Sequence, residues 1–216
     1  MKTHAICASL LIALTALGDG GAKEVPLFDG KTFNGWNGDT LHTWRIELGV
    51  IVGSAWGKKA FNQYLCTDRS YANFILKVKV KLQGSSGDIN AGVQFRSKRK
   101  ASPPNEVEGY QADVAEWVSN KLGSGWGCLW DNSRRNRVLV FADKNELNKI
   151  LRRSDWNEYI IRCEGKRMRM WLNGCPTFDY TETDERIPQQ GVIGLQVYGH
   201  GISKAFFKDI SIEELP

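Results

Sequence analysis

Imidazole is scarce in this chain. Of its three histidines, His4 lies in the N-terminal apolar segment, which leaves His42 and His200, and no His-x-His or His-x-x-x-His pair offers transition-metal spacing. The five cysteines include no Cys-x-x-Cys pair, which argues against a zinc ribbon or a redox centre. The one extended apolar run, Ala5 to Leu17, is too short to cross a bilayer, so no transmembrane segment is expected. There is no Gly-x-Ser-x-Gly elbow, no phosphate loop and no dinucleotide fingerprint, and serine-hydrolase, kinase and cofactor-dehydrogenase readings lose their support. Concentrated charge is absent as well. Lys+Arg of 29 against Asp+Glu of 24 give +5, yet the densest basic run is only Lys98-Arg99-Lys100. Such charge reads as solvated surface, and no nucleic-acid partner is expected.

What is present suffices for one core: 216 residues with 42% hydrophobic content match a single domain. Residues 1–22 have the form of a secretory signal peptide, with Met1-Lys2-Thr3-His4 before the apolar stretch and small residues such as Ala16, Gly18 and Ala22 after or near its end. The expectation is an exported chain, secreted or periplasmic, whose residues 23–216 form one domain. Its removal takes Cys7 away and leaves Cys66, Cys128, Cys163 and Cys175. In an oxidising compartment these form two disulfides in any of three pairings, or they stay as buried thiols. No feature of the sequence specifies an oligomeric state.

Apolar, β-branched and aromatic residues come in short runs: Trp44 to Val52, Tyr71 to Leu82, Ala91 to Arg96, Gly109 to Trp117, Arg137 to Phe141, Trp156 to Glu164, Arg167 to Asn173, Val192 to Tyr198 and Lys204 to Glu213. They read as strands. In Phe74 to Leu82 the even positions are apolar while Lys77, Lys79 and Lys81 face the other way, so one face is core and the other wet. Asn173-Gly174, Glu164-Gly165-Lys166 and Gly84-Ser85-Ser86-Gly87-Asp88 carry turn chemistry, and Asn-Gly is a strong hairpin signal. Only Asp143 to Arg153 has helical spacing, with Leu147, Ile150 and Leu151 as its apolar face. Many strands, frequent turns and no βαβ alternation predict an all-β sandwich of two antiparallel sheets.

Chemistry gathers around Gly109-Tyr110-Gln111-Ala112-Asp113-Val114-Ala115-Glu116. On a strand, Gln111 and Asp113 share one face, opposite Ala112 and Val114, which predicts an exposed polar pair on the face away from the core. The alternative is an acid that is simply solvated. The order Gln111-x-Asp113-x-x-Glu116 has the spacing of Glu-x-Asp-x-x-Glu, the signature of laminarinase-type glucanases, but with Gln at the first position. In a double displacement that position attacks the anomeric carbon, with the acid about 5 Å away, and an amide cannot do so. Retaining hydrolysis is disfavoured.

Eight tryptophans supply flat apolar faces for sugar stacking. Most belong to the core, and Trp126, within Gly123-Ser124-Gly125-Trp126-Gly127, is the best candidate to line a cleft because the glycines allow close approach. Arg134 and Arg135 follow; they hold a substrate oxygen, orient Asp131, or form a surface ion-pair turn. Oxygen ligands from Asp113, Glu116 and Asp131 make a divalent cation such as calcium a candidate, with no cofactor required by the sequence and no metal ligand set specified.

From residue 27 onward the chain resembles the 3-keto-disaccharide hydrolase domain family. The likeness opens with Leu27-Phe28-Asp29-Gly30-Lys31 and Gly35-Trp36 and runs through Asn90-Ala91-Gly92-Val93-Gln94-Phe95-Arg96-Ser97, Gly109 to Asp113 and Trp126-Gly127-x-Leu129-x-Asp131-x-x-Arg134-Arg135. It closes with Trp156-Asn157, Trp171-Leu172-Asn173-Gly174, Asp179-Tyr180, Gly191 to Gln196 and Phe207 to Leu215. The resemblance implies a concanavalin A-like jelly roll and cleavage of glycosides whose sugar has been oxidised to a 3-ketone. That reaction uses a base to take the acidified C2 proton and an acid to assist the leaving oxygen, by elimination and rehydration, with no carboxylate nucleophile. By this resemblance Asp113 is the leading base, with Glu116 and Asp131 as alternatives, and Gln94, Arg96, Tyr110, Gln111, Arg134 and Gln196 surround a carbohydrate substrate, to which the residue reading adds Trp126 and His200. Where the family has Leu-Gln-x-His-Gly-Gly, this chain reads Leu195-Gln196-Val197-Tyr198-Gly199-His200-Gly201. The rival reading is a lectin-like domain that binds carbohydrate without cleaving it.

Overall fold

The computed structural model describes residues 23–55, 61–84, 89–102, 106–116, 124–199 and 202–216. The signal-peptide assignment to 1–22, and His200, Trp117 and Gly123, lie outside the described residues.

Among the described residues fifteen strands and one short helix follow in chain order: β1 (Val25–Pro26), β2 (Trp36–Asn37), β3 (Trp44–Glu47), β4 (Val50–Ala55), β5 (Gln63–Tyr71), β6 (Phe74–Gly84), β7 (Ile89–Arg99), β8 (Val107–Glu116), β9 (Leu129–Asn132), β10 (Arg137–Val140), α1 (Lys144–Ile150), β11 (Asn157–Glu164), β12 (Arg167–Leu172), β13 (Cys175–Thr181), β14 (Gly191–Val197) and β15 (Ser203–Glu214). They build two antiparallel sheets, as the patterning predicts. One is eight-stranded in the order β13-β12-β11-β6-β15-β4-β3, with β1 added on β15; the other is seven-stranded in the order β10-β9-β8-β7-β14-β5-β2. The jelly-roll sandwich stands.

Period-two patterning explains the packing between the sheets. Phe74, Leu76, Val78, Val80 and Leu82 of β6 point inward with Tyr159, Ile161 and Cys163 of β11, and meet Ala91, Val93 and Phe95 of β7 and Tyr110, Ala112 and Val114 of β8. Each buried aromatic or aliphatic side chain contributes about 1.5–3 kcal/mol. The Tyr159 hydroxyl ties the two sheets, donating to the Asp113 carbonyl at 2.7 Å while Gly127 N–H donates to it at 3.1 Å.

The differences from the sequence reading have local causes. Trp44 to Val52 is a hairpin, because Leu48 and Gly49 take positive φ (48° and 78°) and turn the chain so that Glu47 faces Val50. Asn173-Gly174 makes the predicted turn, with φ of 49° and 82° between Leu172 and Cys175. The strands β1, β2, β5, β9 and β13 escape the reading; β1 and β2 are two residues long and β9 four, and β5 and β13 mix apolar residues with Asp, Arg, Thr and Pro. The helix spans Lys144–Ile150 and is capped by the Asp143 carboxylate, which accepts from the N–H groups of Asn145 and Glu146; Leu147 alone is buried. No disulfide joins the four cysteines: Cys66 of β5, Cys163 of β11 and Cys128, just before β9, are buried thiols.

Candidate functional site

The strand β8 positions the predicted cluster, and its alternation divides it. Cross-strand register places Gln111 beside Gln94 of β7 and Trp130 of β9, and Asp113 beside Gly92, which in turn faces Gln196 of β14 and then Tyr64 of β5. Asp113, Gln111, Gln94, Gln196, Tyr64 and Trp130 therefore share the face of the seven-stranded sheet that looks away from the sandwich interior. At about 4.8 Å per strand, the row from Tyr64 to Asp113 extends about 14 Å.

This face is polar, as expected, but the exposure predicted for Gln111 and Asp113 is not found: they are 3% and 2% exposed, and Gln94 is at 0%. Their hydrogen bonds run as a chain. Ser97 Oγ donates to Gln94 Oε1 at 3.0 Å, Gln94 Nε2 donates to Gln111 Oε1, and Gln111 Nε2 donates to Asp113 Oδ1 at 2.8 Å. The Val114 N–H also reaches Oδ1, at 3.2 Å, and among the described residues no hydrogen bond reaches Oδ2. Gly92 makes the chain possible. A Cβ there would sit 2.5 Å from Gln111 Cδ, so only glycine lets that amide lie across β7.

Burial pushes the Asp113 carboxyl up to about 7, and the hydrogen bonds from Gln111 and Val114 only partly oppose it. Among the described residues no cation sits in the chain of amides to favour the carboxylate. Two further amides on or beside this face, Asn90 and Gln196, have side-chain oxygens (Oδ1 and Oε1) that are buried and lack a donor. Buried acceptors without partners are costly in a finished core and are suited to a ligand bearing hydroxyl donors.

The other two predicted catalytic acids lie elsewhere. Glu116 falls on the opposite face of β8 in the alternation and accepts from Arg153 in a partly exposed ion pair. Asp131 faces Tyr110 across β8 and β9, on the interior side, where Arg134 and Arg135 both bind it. Arg135 continues to Glu182, which also accepts from the Tyr110 hydroxyl at 2.6 Å, and the Arg134 guanidinium lies 4.5 Å from the Tyr110 ring centroid. Burial opposes ionisation of Glu182, but Arg135, Tyr110 and the Asp184 N–H outweigh it and hold the carboxyl at about 2. This is an ion network that clamps the strands.

Arg96 is buried at a bulge of β7 with φ of 46°. Its guanidinium donates to the carbonyls of Ala72 and Gly165 and to Gln189 Oε1, so it pins loops. Trp126 is 1% exposed and packs edge-on against Tyr159 in the core, so it offers no face to a sugar. The half-buried indole on the Asp113 face is Trp130. Four residues of this side escaped the sequence reading: the Tyr64 hydroxyl donates to Glu106 at 3.2 Å and accepts from Asn132 Nδ2 at 3.0 Å, with Ser133 also on Glu106. Only the parity of Tyr64 with Cys66 on β5 could have signalled them. Among the described residues no group of three or more His, Cys, Asp or Glu side chains is placed to hold a metal ion.

The sequence profile of the 3-keto-alpha-glucoside-1,2-lyase-like domain family matches residues 23–213. No curated protein matches the chain. Among solved structures, a candidate glycosyl hydrolase from Parabacteroides distasonis ATCC 8503 superposes with a TM-score of 0.64 at 22% identity, covering 89% of this chain and 94% of that one. The carbohydrate binding module CBM66 from Bacillus subtilis gives 0.62 at 16% identity, with 83% and 96% covered. The exoplasmic/lumenal domain of VIP36, in its Ca2+/Man3GlcNAc-bound form, gives 0.65 at 12% identity, with 89% and 88% covered. At these identities the structural likeness is one of fold.

Proposed function

The chain belongs to the 3-keto-alpha-glucoside-1,2-lyase-like domain family, and from that membership and the Asp113 geometry we propose that it cleaves the glycosidic bond of 3-keto-disaccharides or related 3-keto-glycosides. The observation that carries the reading is Asp113: a buried carboxyl raised to about 7, alone among the three predicted acids on a face lined by amides, with Oδ2 unoccupied by any described donor. A base works best when its proton affinity lies near the working pH.

In this scheme a sugar ring stacks on Trp130 and its hydroxyls satisfy Asn90 Oδ1 and Gln196 Oε1. Asp113 Oδ2 takes the C2 proton, made acidic by the neighbouring ketone. The electron pair forms the C1–C2 double bond as the C1–O bond breaks, and the amide N–H groups of Gln196 and Asn90 face the keto oxygen that gathers charge. Water gives one proton to the departing oxygen and its hydroxide to C1, and Asp113 returns its proton to C2. Gln111 is a positioning residue here, holding Oδ1 so that Oδ2 stays free. With Glu116 and Asp131 on the other face, no pair of carboxylates among the described residues stands ready for double displacement.

Incubation of the protein with a 3-keto-disaccharide and with its unoxidised parent tests the proposal. Release of free sugar from the keto form alone supports it; release from both, or from neither, overturns it. A second reading, a non-catalytic carbohydrate-binding domain, is favoured by Tyr198 standing where the family has His and by the fold shared with a carbohydrate binding module. Saturable binding without cleavage would establish that reading.

A further inference from the structure

The far side of the molecule carries a different chemistry. The odd-numbered lysines of β6 point outward from the eight-stranded sheet, and β15 lies beside them with Lys208 opposite Lys79 and Phe206 opposite Lys81. Over most of this face each cation has a carboxylate: Lys77 with Glu24, Arg45 with Glu47, Arg167 with Asp179, and Arg162 and Arg169 sharing Glu164. At one end the pairing stops.

There a groove of about 450 Å³ is lined by Lys79, Arg152, Trp156, Glu158 and Lys208 and the Asn173-Gly174 turn. Lys208 Nζ lies 4.3 Å and Lys81 Nζ 5.1 Å from the Trp156 ring centroid, while Lys81 and Lys204 lie 4.6 and 5.7 Å from that of Phe206. Lys81, Lys204, Lys208 and Arg152 form no ion pair among the described residues, and Lys79 pairs with Asp209. Five cations thus stand against three carboxylates, Asp209, Glu158 and Asp155, the last of which accepts from the Trp156 N–H at 2.7 Å. Aromatic rings fix the lysines in place without cancelling their charge, so the excess stays available to a ligand.

We infer that this end of the outer face binds an acidic polysaccharide, one whose sugar carboxylates or sulfates meet Lys81, Lys208 and Arg152 while a ring lies against Trp156. The cations form a compact patch around one indole, with strands about 4.8 Å apart and successive outward residues about 6.8 Å apart along each strand. Within the patch the Glu158 carboxylate has no hydrogen-bond donor among the described residues. The hydroxyls of a glycan donate to such an acceptor, whereas a DNA backbone has no donor to offer it, which favours a glycan over DNA. The surface lies on the other sheet from Asp113 and does not depend on the cleavage proposal.

Affinity electrophoresis of the purified protein through gels containing polygalacturonate, neutral dextran or a DNA oligonucleotide tests the inference. Polygalacturonate should retard the protein and dextran should not, with retardation shrinking as salt rises. The double variant Lys81→Gln/Lys208→Gln should bind about tenfold more weakly, because two unpaired charges are lost from one contact, and Trp156→Ala should also weaken it. Lys77→Gln, whose charge is already paired with Glu24, should bind like the parent. Equal retardation of parent and double variant, equal retardation by dextran, or tighter binding to DNA than to polygalacturonate would each overturn the inference. Asp113→Asn should leave polygalacturonate binding intact, and the lysine double variant should leave keto-disaccharide turnover intact, so the two proposals fail separately.

Discussion

Asp113 and Glu182 are both almost fully buried, and both lie against β8, one on its outward face and one reached by Tyr110 from the inward face. Their surroundings drive them apart. Asp113 is met by an amide and a backbone N–H, and burial raises it to about 7. Glu182 is met by Arg135 and the Tyr110 hydroxyl, and falls to about 2 despite its burial. A buried acid that finds a cation becomes part of the scaffold. One that finds only neutral donors keeps a proton near neutral pH and costs stability when it gives that proton up, which suits a base and not a girder.

The sharpest way to break this contrast is Asp113→Asn. Turnover of the 3-keto-disaccharide should fall about a thousandfold, in the range that a positioned general base contributes, while substrate affinity stays. The same variant should melt at a higher temperature than the parent above pH 7, because the buried carboxylate no longer forms. Retained turnover would remove Asp113 from the reaction.

On the scaffold side, Arg135→Ala should destabilise the protein by about 3 kcal/mol by leaving Glu182 charged and unpaired. A chemical denaturation curve at neutral pH measures the loss, and one below 1 kcal/mol would mean the network is not a clamp.

The two acids also predict opposite pH slopes. Glu182 is depressed when folded, so its contribution is present above its unfolded value of 4.5 and disappears as pH falls toward about 2. Asp113 is raised when folded, so its contribution is present below 3.8 and is lost as pH rises through about 7. Each slope approaches about 1.4 kcal/mol per pH unit within its window. Stability against pH should have a shallower acid limb in Glu182→Gln, where the other depressed carboxyls such as Glu164 remain, and should lose its neutral decline in Asp113→Asn, and the parent's kcat/KM should rise through pH 7 as the Asp113 carboxylate forms.

The smallest effect sharpens the comparison from within the amide chain. Gln111→Leu removes the donor that opposes burial and holds Oδ1, so the rising limb of the kcat/KM profile should move to higher pH and its plateau should fall. An unmoved limb would mean that Gln111 does not tune the base.

Much of the fold was legible because strands that bury one face must alternate: β6 and β11 do so along their length, and β15 does so on either side of a bulge at Asp209. The same rule put Gln111 and Asp113 on one face correctly. It missed that this face is also buried, since alternation reports which side a residue takes and nothing about what covers it. It also grouped Asp113, Glu116 and Asp131 by closeness in sequence, although parity sends Glu116 to the other face and register pairs Asp131 with Tyr110. Trp126 looked like a cleft residue from its glycines, yet it packs on Tyr159, whose place on the other sheet no local pattern reveals.

By itself the sequence determined the two-sheet β architecture, the family and the side of β8 that Asp113 takes, because these follow from short-range periodicity and ordered motifs. Only the tertiary structure decided which acid finds an arginine and which finds an amide. Electrostatic character is set by what distant strands bring within a few ångströms in a medium of low dielectric, and the chain's order does not record those distances.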